Sequence, residues 1–188
     1  GLGDVYKRQV LKEVNKPIYA TKLTMGIIET KLKEHNLMGN TKRKVVKYGQ
    51  YIMLGDFRIE FIRINHSIAD ACALAIYTPA GIIIHTGDFK VDYTPVFGEP
   101  IDLQRFGEIG KKGVLAMLCD STNVMRTGYT MSEKTVGKTF DNIFSDNQNS
   151  RIIVATFASN VDRVQQIINS AAKYNRKVAV EGLSLIHI

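Results

Sequence analysis

Hydrophobic and polar positions alternate along the chain in short blocks that predict strands first and a strand-helix alternation later. From Pro17 the residues PIYAT read as a short strand, and Thr21 is placed to cap a helix whose apolar positions Leu23, Ile27, Ile28 and Leu32 keep the 3.6-residue period. That helix is expected to end between His35 and Gly39. KVVKY, around residue 46, and the run from Phe57 to Ile64, in which Ile59, Phe61 and Ile64 alternate imperfectly, predict two strands. ACALAIYT, GIIIHT and VLAMLC are three more apolar runs of strand length set apart by Pro and Gly, so residues 45–120 read mainly as sheet.

The character changes after Asn123. Thr130 with Glu133 forms a T-x-x-E capping box ahead of VGKTFDNIF and predicts a helix, and RIIVATF then reads as a continuous apolar strand of the parallel-sheet type. A second helix is expected over Asn160 to Lys173, with Val161, Val164, Ile168 and Ala171 or Ala172 on one face and Ser159 as its N-cap. RKVAVEG returns as a strand, which completes a β-α-β unit of a doubly wound parallel sheet. A domain boundary is therefore expected between residues 125 and 132. Neither Gly1 to Gln9 nor Leu183 to Ile188 continues the pattern of its neighbours, and both read as foreign or read-through sequence.

Composition narrows the picture modestly. With 188 residues and 45% hydrophobic content the chain can bury one sizeable core, and disorder is excluded. Twenty-five Lys and Arg against eighteen Asp and Glu leave a charge of +7, which suits a polyanionic partner and an ordinary basic protein alike. The one basic cluster, TKRKVVK from Thr41 to Lys47, is of the kind that usually forms a solvated face. Cys72 and Cys119 sit inside apolar runs and are expected to pack as small hydrophobes in a reducing cytoplasm. No apolar run reaches the roughly 18 residues that span a bilayer, and the first residues lack the apolar core of a secretion signal, so no membrane partner is expected.

Candidate chemistry lies where apolar strands run into polar residues. Ile62 to Ile64 leads into Asn65-His66, Ile82 to Ile84 into Gly87-Asp88, and Leu115 to Cys119 into Asp120. Functional groups gather beyond the carboxyl ends of strands in α/β sheets, so His66, Asp88 and Asp120 are expected to share one pocket edge. His and Asp suit zinc or manganese. The plainer alternatives are a hydrogen-bonded His66 and an Asx turn at Asp120-Ser-Thr. His35 is expected to end a helix, and His85 to bond within its strand.

Five strings, NHSIAD (65–70), HTGDFKVDYTP (85–95), LCDSTN (118–123), TMSEKTVG (130–137) and FASNVDRVQQ (157–166), together resemble the ribonuclease J family, a β-CASP branch of the metallo-β-lactamase superfamily. The resemblance runs from about Leu11 to Gly182 in the family's order. It implies an α/β fold: a partial metallo-β-lactamase αββα sandwich over residues 10–128, followed over 129–182 by the beginning of a parallel β-CASP domain. It also implies that His66 is a metal ligand, that Asp88 bridges two metal ions, and that Asp120 is the motif A acid, which orients a proton-donating His. The implied cofactor is a divalent metal, two zinc ions with manganese or magnesium as alternatives. A bridging hydroxide would attack phosphorus while the two cations stabilise the attacking and departing oxygens. The implied partner is RNA, with Ala158, Ser159 and Asn160 touching its backbone at a helix entrance and Phe157 nearby.

The resemblance carries functional expectations for the intact family protein: hydrolysis of RNA in 5'-exonuclease and endonuclease modes, in rRNA processing and mRNA decay, by a cytoplasmic homo-oligomer or paralogue complex. Three features depart from the family pattern. Its H-x-H-x-D-H motif, expected before Leu11, and its later histidines are absent, and LSLIHI stands where an Arg-Ser-Met segment is expected after Gly182. This stretch is accordingly expected to be an internal fragment that is inactive alone. The competing functions are another β-CASP nuclease, such as the pre-mRNA 3'-end processing type, and a catalytically silent RNA-binding or scaffold paralogue.

Overall fold

The computed structural model describes residues 11, 13–14, 16–39, 41–157 and 160–181. The expected foreign ends, His187, Ala158 and Ser159 lie outside the described residues. Ile18–Ala20 (β1), Lys22–Glu34 (α1) and Arg43–Val45 (β2) come first, with β1 and β2 paired in parallel across the helix. A β-α-β unit therefore stands at this end of the described chain. The basic cluster is used structurally here: Arg43 donates to the carbonyls of Met38 and Thr41 and pairs with Glu29 at 3.1 Å.

The main sheet has five strands in sequence order: Tyr51–Leu54 (β3), Phe57–Arg63 (β4), Cys72–Thr78 (β5), Gly81–His85 (β6) and Ala116–Leu118 (β7). β3 to β6 are joined by antiparallel pairings, whereas β7 lies parallel to β6. β3 adds a strand that the sequence pattern does not single out. It pairs with β4 through a two-residue Gly55-Asp56 turn in which Gly55 has φ of 60°, a value that costs glycine nothing.

Helix Leu103–Lys111 (α2) corrects the expectation that residues 45–120 are mainly sheet. Two glycines inside it, Gly107 and Gly110, obscure its period, but Asp102 caps it by accepting from Arg105 N, and Phe106 and Ile109 face the sheet. Ile62, Ile64, Ala73, Ala75, Ile84, Ile101 and Ile109 make the first core. Alternation along β4 and β5 places their core residues on one face.

Glu60 is buried inside this layer at 2% exposure. Its carboxylate accepts from Arg105 Nε at 2.6 Å, from Arg105 Nη2 at 2.9 Å and from the Tyr77 hydroxyl at 2.8 Å. Burial pushes this carboxyl up, but the hydrogen bonds from Arg105 and Tyr77 outweigh it and hold the group below its ordinary range. A charge of this kind is stable only with its partners in place.

Helices Glu133–Asp146 (α3) and Val161–Lys173 (α4) pack on each other around Phe140, Phe144 and Ala171, with Ile152 and Ile167 against them. Both caps differ from the expected ones. Ser132, not Thr130, caps α3 by accepting from Lys134 N, because the carboxylate of Glu133 is drawn away to Arg163 instead of closing a capping box. Asn160 caps α4 by accepting from Arg163 N at 3.1 Å, one residue after the Ser159 expected there.

The expected strands in 151–157 and 176–181 are corrected as well, since neither segment forms a strand. A parallel strand is held by slanted bonds to a neighbouring strand. Side chains hold these segments instead: Ile152 enters the helical core, and Arg176 donates to the carbonyls of Asn147, Gln148 and Ser150.

A charged seam joins the two cores. Asp92 is buried, accepts from Thr94 N and Glu133 N, and lies 3.5 Å from Lys90. Burial pushes Asp92 up, and the hydrogen bonds from Thr94, Ser132 and Glu133 together with Lys90 bring it below its usual value. Glu133 in turn meets Arg163 Nη2 at 2.7 and 2.9 Å and Lys90 at 3.5 Å.

Replacing Glu60 by Ala is expected to cost about 3 kcal/mol in chemical denaturation, the low end for breaking a buried pair, because Arg105 keeps some contact with water. With the folded pKa of Glu60 below its unfolded value, the wild-type stabilisation is complete above the unfolded pKa and fades as pH falls through the folded one. Glu60→Ala should accordingly flatten the acid limb of a stability-versus-pH curve. Glu133→Ala is expected to cost about 2 kcal/mol by the same measurement, the usual worth of hydrogen bonds to charged groups.

Candidate active site

The strand directions decide where the candidate residues meet. β5 runs against both β4 and β6, so β4 and β6 point the same way, and β7 follows β6 in parallel. The carboxyl ends of β4, β6 and β7 thus open on one edge of the sheet. His66, Asp88 and Asp120 each follow one of these ends.

Hydrogen bonds tie the three loops together. Lys90 N donates to Asn65 O at 2.8 Å, forming an antiparallel bridge between the His66 and Asp88 loops. Thr86 N donates to Leu118 O at 3.0 Å, and Asp120 N donates to Thr86 Oγ1 at 3.0 Å, which fixes the β7 loop to the β6 loop. Gly87 turns the chain between them with φ of 62°, and a Cβ there would stand 3.3 Å from Cys72 O. Glycine is needed at this position for its backbone conformation and for the close approach of β5.

The Asp120 carboxylate faces the other two loops. Oδ1 accepts from Thr122 N at 2.8 Å and from Thr122 Oγ1 at 2.6 Å, so the Asx turn is formed. Those bonds hold the Asp120 carboxyl below its usual range, and the Phe89 N–H and the nearby His66 act in the same direction. An ionised acid therefore sits beside His66. His66 is half-buried, with Nε2 3.3 Å from Ser67 Oγ, and Asp88 is exposed. His85 accepts from Gly87 N through Nδ1 and takes no part in the convergence. Cys119 is exposed at this edge, contrary to the packed position expected of it, because the short edge strand β7 leaves Leu118 and Met117 open too. Cys72 is half-buried, and burial pushes its thiol up to about 11.

Beside His66 lies a cleft of about 210 Å³, lined among others by Tyr48, Arg63, His66, Lys90, Glu133 and Asp162. It runs from the sheet edge to the two helices. Burial pushes the Asp162 carboxyl up, and Glu133 adds to the shift. Asn160, at the far side of the seam, is 3% exposed and has its Oδ1 committed to the cap, whereas Phe157 is 81% exposed.

Whether these residues suit a divalent metal follows from the donors present. His and Asp are ligand types suited to a divalent ion, and His66 and the exposed Asp88 stand on adjoining loops. Among the described residues, however, no three His, Cys, Asp or Glu side chains gather closely enough to hold an ion. His66 and Asp88 alone would not complete a metal centre among the described residues. Sequence reasoning passed over Asp70 and Asp92 and gave Glu133 only a place in a capping box; their partners Thr21, Glu133 and Arg163 lie 30 to 49 residues away, beyond the reach of any local pattern.

Comparison with known proteins extends this picture. Residues 149–188 match the family described as ribonuclease J, beta-CASP domain. The chain is 48% identical over 177 residues to a ribonuclease J of Helicobacter pylori, covering 94% of this chain and 25% of that protein. It is 45% identical to ribonuclease J of Synechocystis, covering 95% of this chain and 28% of the relative, and 39% identical to ribonuclease J2 of Bacillus subtilis, covering 94% and 32%. The chain thus spans between a quarter and a third of the length of these relatives. In fold it is similar to a crystal structure of a protein of unknown function from Enterococcus faecalis, with a TM-score of 0.60 at 18% identity, over 81% of this chain and 39% of that one. Similar to ribonuclease J proteins over nearly all of its residues, and to that family's β-CASP domain over residues 149–188, the chain belongs to the ribonuclease J family as a segment of mixed α/β structure.

Proposed function

We propose that this segment is the central part of a metal-dependent ribonuclease that hydrolyses RNA phosphodiester bonds. The observation that carries the reading is the convergence of the His66, Asp88 and Asp120 loops at one sheet edge beside a cleft. The relatives named ribonuclease J support the substrate class. Exonuclease and endonuclease modes, RNA processing and decay, a cytoplasmic setting, and a homo-oligomer or paralogue complex belong to the same proposal.

His66 and Asp88 would each hold a divalent ion, zinc with manganese or magnesium as alternatives, the remaining ligands coming from other parts of the longer family protein. Such an ion supplies Lewis acidity and charge stabilisation at phosphorus. Asp120 is a fixed negative charge at this edge, suited to orienting a proton-donating imidazole that another part of the longer family protein would supply. Asp120 cannot move freely, because Thr122 and Phe89 hold three of its acceptor positions.

RNA would enter by the start of α4. The first N–H groups and the dipole of that helix favour a phosphate, and exposed Phe157 offers a face for a base. Asn160 holds this entrance from beneath as its cap, and Ala158 and Ser159 are the proposed backbone contacts.

Asp88→Asn in a full-length ribonuclease J carrying this segment is expected to reduce cleavage of a labelled 5'-monophosphorylated RNA by more than about 100-fold, beyond what outer-shell changes at metal sites produce. Thermal unfolding should barely move, since Asp88 is exposed. Near-normal cleavage would remove Asp88 from the site. At the entrance, Ser159→Ala with Asn160→Ala should weaken RNA binding at fixed salt while leaving metal content alone, and lose about 1 kcal/mol through the cap. Asn160→Asp keeps the capping oxygen but adds charge. If phosphate binds there it should weaken RNA severalfold without loss of stability, and unchanged binding would reduce Asn160 to a cap and overturn the phosphate site.

A further inference from the structure

The segment that carries His66 is held at both ends by side chains. At its start, Asn65 Nδ2 donates to Glu99 O at 3.1 Å, and Asn65 Oδ1 accepts from Ile101 N at 2.7 Å. At its end stands Asp70, whose φ of 55° lies in the left-handed region that Asp tolerates better than most residues. Its carboxylate reaches the first turn of α1: Oδ1 accepts from Thr21 Oγ1 at 2.7 Å and from Thr24 Oγ1 at 3.3 Å, and Oδ2 accepts from Leu23 N at 2.8 Å. These partners are 46 to 49 residues away in sequence.

The helix does not need this carboxylate for its own sake. Thr21 occupies the N-cap position with extended backbone, and its hydroxyl is of the type that accepts from an N2 or N3 N–H. In the structure that hydroxyl makes no capping bond and donates to Asp70 instead, while Asp70 accepts the Leu23 N–H that a cap would take. A local cap has been replaced by a remote one. What the replacement adds is a fixed end for the four residues from His66 to Ala69, set against the positive end of a helix dipole.

We propose that Asp70 is a positioning residue for His66: by capping α1 from across the fold, it locks the far end of the loop and sets the place of the imidazole. The proposal rests on the reading of His66 as a metal ligand. Removing Asp70 leaves Thr21 free to cap α1 itself, so the damage should fall on the loop and not on the helix.

The test uses a full-length ribonuclease J carrying this segment, with Asp70→Ala, Asp70→Asn and His66→Ala compared to wild type. Zinc affinity is read by chelator competition, kcat and KM on a 5'-monophosphorylated RNA, and amide exchange by mass spectrometry. Asp70→Ala is expected to weaken zinc binding about tenfold or more, as outer-shell partners do, and to lower kcat with KM unchanged. Exchange should quicken in 65–70 while β5 and α1 stay protected. Asp70→Asn, which keeps one carbonyl acceptor for Thr21 and Thr24, should restore part of the loss, and it carries the comparison should the Ala variant fail to fold. If His66→Ala loses zinc while both Asp70 variants bind it like wild type, the positioning role is wrong and the ligand reading stands. If exchange quickens in β5 as much as in the loop, Asp70 is merely structural. Unchanged zinc binding in His66→Ala would overturn the ligand reading and this proposal with it.

Discussion

The placement of β5 between β4 and β6, antiparallel to both, is the constraint on which the rest of the molecule depends. Two antiparallel neighbours of one strand must run the same way, and β7 extends that direction in parallel. Three loops that leave the sheet at widely separated points in the sequence therefore emerge at one edge. Register makes this arrangement strict. A slip of one residue in β4 would turn Ile62 away from the cluster it forms with Ala73, Ile84 and Ile109 and bring Arg63 to that face. The hydrophobic core and the position of His66 are thus held by the same alternation.

Charge does in the interior what strands do at the edge. Glu60 and Asp92 are carboxylates in largely dry surroundings, each kept ionised by hydrogen bonds that outweigh the cost of burial. Glu60 pins α2 on the sheet through Arg105. Asp92 pins the start of α3 to the loop that follows Asp88, and Glu133 passes the connection on to Arg163 at the start of α4. The Asp88 loop and the α4 entrance are consequently parts of one network, although they belong to different hydrophobic clusters.

The strands from Phe57 to Cys119 were legible because each is an apolar run of the right length between turn residues. His66, Asp88 and Asp120 were legible because each follows such a run directly. β3 was missed because Met53 and Leu54 lie exposed on an outer strand and show no clean alternation. Residues 151–157 misled in the other direction. Their apolar run has the composition of a buried strand, yet the segment is held through Ile152, which packs into the helical core. The α3 cap moved by two residues because Arg163 draws off the Glu133 carboxylate that a capping box would use.

The sequence by itself determined strands β4 to β7, helices α1, α3 and α4, and the three residues at the sheet edge, since apolar periodicity and turn chemistry act over a few neighbouring residues. Its strings also carried the family. Only the tertiary structure decided which strand ends share an edge, which carboxylates are buried and paired, and that Asp70 caps a helix 47 residues before it. Those outcomes depend on contacts between segments whose separation along the chain leaves no periodic trace, and buried charge in particular is settled by the partner that satisfies it.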